Sequence, residues 1–177
     1  SLSVEGVSFS PEGRINGLEF FTEGNKFSHN LDHFINCATL CNDSKILEPE
    51  GRVFPVGLPT EAALRVLNEK FYRQLKVHNK DIESNNHAIE SRFEKLATLE
   101  FTSERKCMSV LVKEHSASKR ILYVKGAPEY ILKASESIMT KSGEIKKLTK
   151  DGKKRIEEVL KTNASEGFRC LMICMKT

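Results

Sequence analysis

Two apolar runs, Cys107 to Lys113 and Arg120 to Val124, are parted only by the short polar stretch His115 to Lys119. A gap that short cannot hold a crossover helix, so the two runs pair as an antiparallel hairpin. A third run, Thr98 to Phe101, predicts one more strand beside them. Helical segments fall on both sides of these strands without a regular βαβ succession. The expected class is therefore α+β, an antiparallel sheet layered with helices.

The helices are read from spacing. From Ser28 onward Leu31, Phe34, Ile35 and Ala38 recur on one face, with Ser28 or Asn30 as N-cap and an end near Asn42 and Asp43. Pro59 opens a second helix with the apolar stripe Ala63, Leu64, Leu67 and Phe71. The polar stretch 76–87 predicts a surface loop, followed by a short helix carrying Ile89, Phe93 and Leu96 inward. Pro128 to Met139 predicts another helix, and Thr149 caps a last one whose Ile156, Val159 and Leu160 face inward, with Gly167 at its C-terminal end. Lys45 to Leu47 and Arg52 to Val56 form a hairpin about the turn Glu48 to Gly51, Ile145 to Leu148 is a short strand, and Arg169 to Met175 closes the chain as an apolar strand. The first 28 residues read as strand and turn, with no helix before Ser28.

One domain accommodates the 177 residues, 39% of them apolar and 29% charged. No stretch approaches the roughly 20 apolar residues of a membrane span, and the N-terminus lacks a signal-peptide pattern, so the chain as it stands is expected to be soluble. The net charge of +4 is concentrated in Lys146 to Arg155, which reads as a solvated helix start rather than a nucleic-acid face. Docking of that stretch on nucleic acid or anionic lipid is the alternative. The five cysteines have no paired spacing and suggest free thiols in a reducing compartment. His29, His33, Cys37 and Cys41 share a helical stripe, but one stripe cannot wrap a tetrahedral ion, so no metal is assigned.

Chemistry concentrates in Tyr123-Val-Lys-Gly-Ala-Pro-Glu-Tyr-Ile-Leu132. Lys125 ends an apolar strand where a cation can meet a phosphate, Gly126 lets a backbone approach closely, and Pro128 suits the first turn of a helix. An ordinary strand-to-helix connection with a solvated lysine fits the same residues. Phe101 precedes the polar run Thr102 to Lys106 and can stand at a pocket rim or in the core. Glu61 lies in the first turn of its helix, where the dipole favours a carboxylate without any function. No Gly-rich phosphate loop of a standard type is present.

The segment resembles the Lys-Gly-Ala-Pro-Glu motif of the nucleotide-binding domain of P-type ATPases, cation pumps that pass through an aspartyl-phosphate. Gly57-Leu-Pro-Thr-Glu-Ala-Ala-Leu64, Leu99-Glu-Phe-Thr-Ser-Glu-Arg-Lys-Cys-Met-Ser-Val110 and Gly167-Phe-Arg-Cys-Leu171 agree with it in the order the family uses. Within the family, Leu40-Cys-Asn-Asp-Ser44 and the Phe101 to Val110 stretch are most similar to calcium pumps of the endoplasmic-reticulum type.

The resemblance implies a twisted antiparallel sheet flanked by helical layers and a site for ATP, brought with Mg2+ in the whole pump. It implies Phe101 stacking on adenine, Glu61 accepting from the adenine amine, and Lys106 near the phosphates. Lys125 and Gly126 would line the inner pocket, Arg169 would reach the ribose or phosphate region, and Cys170 and Leu171 would form pocket wall. Ser103 replaces an arginine common at a phosphate contact, which implies a weaker hold on the β-phosphate. The phosphorylation loop Asp-Lys-Thr-Gly-Thr, magnesium-binding aspartates and membrane helices are not in these residues. The expectation is a monomeric ATP carrier on the cytoplasmic face of the endoplasmic reticulum, partnered by the phosphorylation and actuator domains of a Ca2+ pump. A pump for another cation is the alternative within the family.

Overall fold

A computed structural model describes residues 1–76, 81–117 and 119–177. The chain begins with the antiparallel pair β1 (Ser3–Val4) and β2 (Ile15–Asn16), then β3 (Thr22–Glu23) and β4 (Lys26–Phe27), followed by α1 (His29–Leu40). The hairpin β5 (Lys45–Leu47) and β6 (Phe54–Val56) leads into α2 (Pro59–Gln74) and α3 (Ser84–Glu90). Three strands follow, β7 (Phe93–Leu99), β8 (Cys107–Glu114) and β9 (Arg120–Gly126). After α4 (Pro128–Ala134) come the hairpin β10 (Ser137–Met139) and β11 (Ile145–Lys147), α5 (Lys150–Ser165) and β12 (Met172–Lys176).

The largest sheet has four strands in the order β12-β9-β8-β7, every pair antiparallel. The short link between β8 and β9 does what its length dictates, setting the register Val110 to Tyr123 and Met108 to Lys125. Alternation then sends Met108, Val110, Val112, Ile121 and Tyr123 to one face. There they join Leu31, Ile35, Cys37 and Leu40 of α1, Cys41 at its C-cap, Phe71 of α2 and Ile89 of α3 in one buried cluster. Away from that cluster, α4 buries Pro128, Ile131 and Leu132 and packs beside β9 and β12.

A polar network joins the three helices on the cluster side. Asn68 Nδ2 of α2 donates to Thr39 Oγ1 of α1 at 2.6 Å, and Thr39 Oγ1 donates to Asn86 Oδ1 of α3 at 2.8 Å. Asn85 and Asn86 in turn donate to the buried carboxylate of Glu69 at 2.6 and 2.7 Å. Arg65 donates to Ser44 O at 2.6 Å and pairs with Glu90 at 2.5 Å. Bonded in this way, with Asn68 Oδ1 the one atom of these α2 side chains left without a partner among the described residues, polar groups occupy α2 positions that would otherwise carry aliphatic side chains.

Several expectations are corrected by these facts. Ala63 of α2 is exposed, and the buried residues are Ala62, Arg65, Val66, Asn68, Glu69, Lys70 and Phe71, because the network makes polar residues good core neighbours. The expected loop 76–87 lies at 77–80 outside the described residues, and its last part, Ser84 to His87, is helical in α3. Phe93 is not helical but starts β7, with Leu96 39% exposed at a bulge, so the strand begins five residues earlier than Thr98 and ends before Phe101. The helix expected over Pro128 to Met139 stops at Ala134, and Ser137 to Met139 pairs with β11. Val159 is 60% exposed and α5 has no buried residue, so its inward face is only partly covered. Leu18 to Phe21 forms a 3-10 turn before Ser28, and the closing strand starts at Met172, leaving Arg169 to Leu171 ahead of it.

Thr149 caps α5 as expected, accepting from Gly152 N at 3.1 Å, and Gly167 takes a positive φ of 82° just past its C-terminal end. All five cysteines are free.

Candidate functional site

Gly126 ends β9 between Cys107 of β8 and Met172 of β12. A Cβ there would lie 2.4 Å from Lys106 O and 2.5 Å from Cys107 Cβ, so only glycine admits this approach of the strands. Ala127 N then donates to Lys106 O at 2.9 Å, and Pro128 starts α4 at a position whose missing N–H costs nothing. The strand-turn-helix is thus rigid, and Lys125 is placed by it.

Lys125 lies on the cluster face of β9, opposite Met108 and Ile173. Its ammonium donates to Glu61 Oε1 at 2.6 Å, with side-chain exposures of 5% for the lysine and 14% for the glutamate. Two motifs separated widely in sequence therefore meet as a largely buried ion pair. Glu61 stands in the first turn of α2, where the helix dipole favours its charge, and its Oε2 accepts from Asp43 N at 3.2 Å.

Of the remaining sequence candidates, Arg169 and Lys106 bond to residues of the same two motifs. Arg169 Nη1 donates to Thr60 Oγ1 at 2.9 Å, placing the guanidinium beside the residue preceding Glu61. Lys106 takes a positive φ of 54° at the end of the turn begun by Thr102, whose O accepts from Lys106 N at 2.8 Å. Among the described residues no carboxylate pairs with its ammonium. Phe101 is 57% exposed just beyond β7, which rules out the core role open to it from sequence. Leu171 is 39% exposed, and Cys170 is half-buried.

Three residues at this site, Asn42, Asp43 and Thr60, were given no individual role by the sequence. Asn42 is 3% exposed and donates to Ala38 O and to Glu61 O, both at 2.9 Å, while its Oδ1 accepts from Ser44 N. It ties the end of α1 to the start of α2. Asp43 holds Glu61 through its backbone, and its carboxylate raises the carboxyl of exposed Glu100 above the ordinary range. Thr60 anchors Arg169. In sequence they stood only inside the runs Leu40 to Ser44 and Gly57 to Leu64, the first of them an Asn-Asp-Ser cluster just after a helix, a pattern that favours side-chain turns.

A wide cleft lies elsewhere. About 790 Å³ opens between α4 and α5, lined by Pro128, Leu132, Lys133, Leu160, Phe168 and Cys170 among others. It shares only Cys170 with the sequence candidates, and it exists because α5 buries nothing. The ion pair and strand junction, rather than this cleft, hold the charged residues singled out by the sequence.

The basic stretch is divided by the fold. Lys146 sits in β11 and pairs with Glu144 at 3.2 Å, whereas Lys153 of α5 donates to Leu132 O at 2.9 Å and Lys133 O at 3.3 Å, closing the C-terminal end of α4. Among the described residues no helix is long and apolar enough to cross a membrane.

Comparison with known proteins agrees with the four ordered motifs. The chain is 32% identical over 192 residues to Calcium-transporting ATPase 3, endoplasmic reticulum-type, of Arabidopsis thaliana, covering 99% of this chain and 19% of that protein. It is 33% identical over 178 residues to Calcium-transporting ATPase 4, endoplasmic reticulum-type, of the same plant, covering 97% of this chain and 16% of the relative. A probable calcium-transporting ATPase of Trypanosoma brucei brucei is 35% identical over 155 residues, covering 82% of this chain and 15% of its own length. The chain thus spans less than a fifth of these relatives. The family model described as P-type ATPase, cytoplasmic domain N, matches residues 30–177, and the chain belongs to that family.

Proposed function

We propose that this chain is the ATP-binding domain of a P-type cation pump, and that the pump transports calcium. The observation that carries the reading is the buried pair of Glu61 and Lys125 at the Gly126 junction, formed by the motifs that match the family. The names of the relatives support calcium as the cargo.

In this reading residues 1–177 form one nucleotide-binding domain, a twisted antiparallel sheet flanked by helical layers. The adenine ring stacks on Phe101, whose exposed face is free to receive it, and its amine donates to Glu61. Lys125 and Gly126 line the inner pocket, with Cys170 and Leu171 as wall. Lys106 and Arg169 face the ribose and phosphates, and Mg2+ arrives with the triphosphate. The domain positions the γ-phosphate and does no bond chemistry itself. Transfer to an aspartate belongs to a separate phosphorylation domain, which acts with an actuator domain and a membrane domain that moves Ca2+. The domain then lies on the cytoplasmic face of the membrane, that of the endoplasmic reticulum by the names of the relatives.

The test is a calorimetric or NMR titration with ATP, GTP and AMP on the wild type, Phe101→Ala and Lys125→Ala. Adenine-selective saturable binding, weakened by loss of the ring by about 1–3 kcal/mol, is expected. Absence of binding at millimolar ATP by a folded sample would overturn the reading.

A further inference from the structure

Among the described residues β5 is paired on one edge only, by β6, and side chains meet its other edge. Ile46 stands opposite Pro55, which has no N–H to share, and the Ile46 N–H turns instead to the outer edge, where it donates to Glu83 Oε1. Two residues earlier on the same edge, Ser44 O accepts from Arg65 Nε at 2.6 Å. Arg65 Nε also lies 3.5 Å from Glu83 Oε1, so one ion pair supplies both the donor and the acceptor that a neighbouring strand would offer. Glu90 Oε1 holds the far end of the guanidinium, accepting from Nη1 at 3.0 Å and Nη2 at 2.5 Å.

What this pair fixes is the stretch of chain that fixes Glu61. Ser44 Oγ donates to Leu58 O at 3.2 Å, and Gly57 lies so close that a Cβ on it would be 2.6 Å from that hydroxyl. Ser44 N donates to Asn42 Oδ1 at 2.9 Å, and Asn42 Nδ2 donates to Glu61 O at 2.9 Å. Asp43 N donates to Glu61 Oε2 at 3.2 Å. Residues 42–44 thus grip the start of α2 at three points, and are themselves gripped through Ser44 O by Arg65, one turn further along the same helix.

We infer that Arg65 and Glu83 are positioning residues for the Glu61 carboxylate: they clamp residues 44–46 and, through Asn42 and Asp43, set where Glu61 faces. This rests on the reading of Glu61 as acceptor of the adenine amine. Arg65 is 2% and Glu83 4% exposed, so their effect reaches the base through Glu61. Glu83 carries two local costs. Its backbone is left-handed, at φ 68°, and its Oε2 is buried with no partner among the described residues. Glycine would suit that backbone better. What glutamate adds is the acceptor for Ile46 N and the counter-charge for Arg65.

The experiment is an NMR titration with ATP and with inosine triphosphate, which lacks the exocyclic amine. The proteins are wild type, Arg65→Met, Glu83→Ala, the milder Ser44→Ala, and Val112→Ala as a control for lost stability. Partial unfolding weakens both nucleotides by one factor and leaves their ratio unchanged, whereas a misplaced Glu61 lowers the ratio. Wild type should favour ATP at least about 10-fold, the worth of one hydrogen bond to a charged acceptor. The three clamp variants should bring the two nucleotides within about 2-fold, while Val112→Ala keeps the wild-type ratio. A wild-type ratio in any folded clamp variant overturns the inference and leaves the ATP reading standing. A wild type that binds neither nucleotide, or both alike, overturns that reading and the inference with it. Without nucleotide, the Asp43 amide should exchange with solvent faster in Ser44→Ala than in wild type, and equal rates would refute the clamp.

Discussion

Replacing Lys125 by methionine tests the central contact of the candidate site. The side chain keeps its length and loses its charge, so packing beside Met108 and Ile173 survives while Glu61 loses its cation. Removing one member of a buried pair costs about 3–5 kcal/mol, because the other charge stays behind unpaired. Glu61 is 14% exposed and keeps the Asp43 N–H at 3.2 Å, which places the cost at the low end, about 3 kcal/mol. In a chain of this size that corresponds to a fall in Tm of about 6–12 °C.

The double variant Lys125→Met with Glu61→Gln separates this cause from lost packing. With no charge left to strand, it should recover about 2 kcal/mol relative to the sum of the single changes. Urea denaturation of the four proteins measures the cycle, with unchanged m-values as the sign that only the native state moved. High salt should not rescue the single variant, since the pair is shielded from the solution. A single variant within about 0.5 kcal/mol of wild type, or a double variant costing the full sum, would refute the buried-pair argument.

Three further outcomes follow from other contacts. Gly126→Ala should cost about 3 kcal/mol, the upper end for overpacking, because the new Cβ meets Lys106 O and the Cys107 backbone, which cannot swing aside; a denaturation midpoint equal to wild type would contradict this. Burial holds His33 below its ordinary value of 6.5, so the unfolded chain binds the proton more tightly. Stability from neutral His33 is therefore full above pH 6.5 and is lost as pH falls through the lower folded value. His33→Gln should flatten that slope in urea midpoints taken from about pH 8 to about pH 5, and equal slopes would count against it. Glu50→Gly should stabilise by up to about 1 kcal/mol, since Glu50 is exposed at φ 53°, and a lowered Tm would show that strain is absent there.

The sheet was legible because its constraints are local. A short polar link forces an antiparallel pair, and alternation with period two then fixes which residues share a face, as it does for Val110 and Tyr123. Local rules fail where a segment satisfies two periods at once. Ile138 and Met139 continue an apolar helical pattern from Ile131 and Leu132, and only their pairing with Lys146 and Ile145 makes them a strand. They fail again where burial is polar: Asn68 and Glu69 read as surface residues until Thr39, Asn85 and Asn86 are brought against them.

The site divides the same way. Its members were legible singly, through their ordered motifs, because each motif keeps its own backbone shape. Their coupling was not, since Glu61 and Lys125 are 64 residues apart and meet only once the first turn of α2 is brought to the end of β9. The residues that enforce the meeting, Asn42 by its two carbonyl bonds and Asp43 by its N–H, do so with groups any loop could supply. Substituting Asn42 by alanine would leave the four ordered motifs unchanged in sequence and still loosen Glu61, so a match to those four alone cannot guarantee a working pocket. The buried polar connections between α1, α2 and the sheet decide whether the motif residues converge.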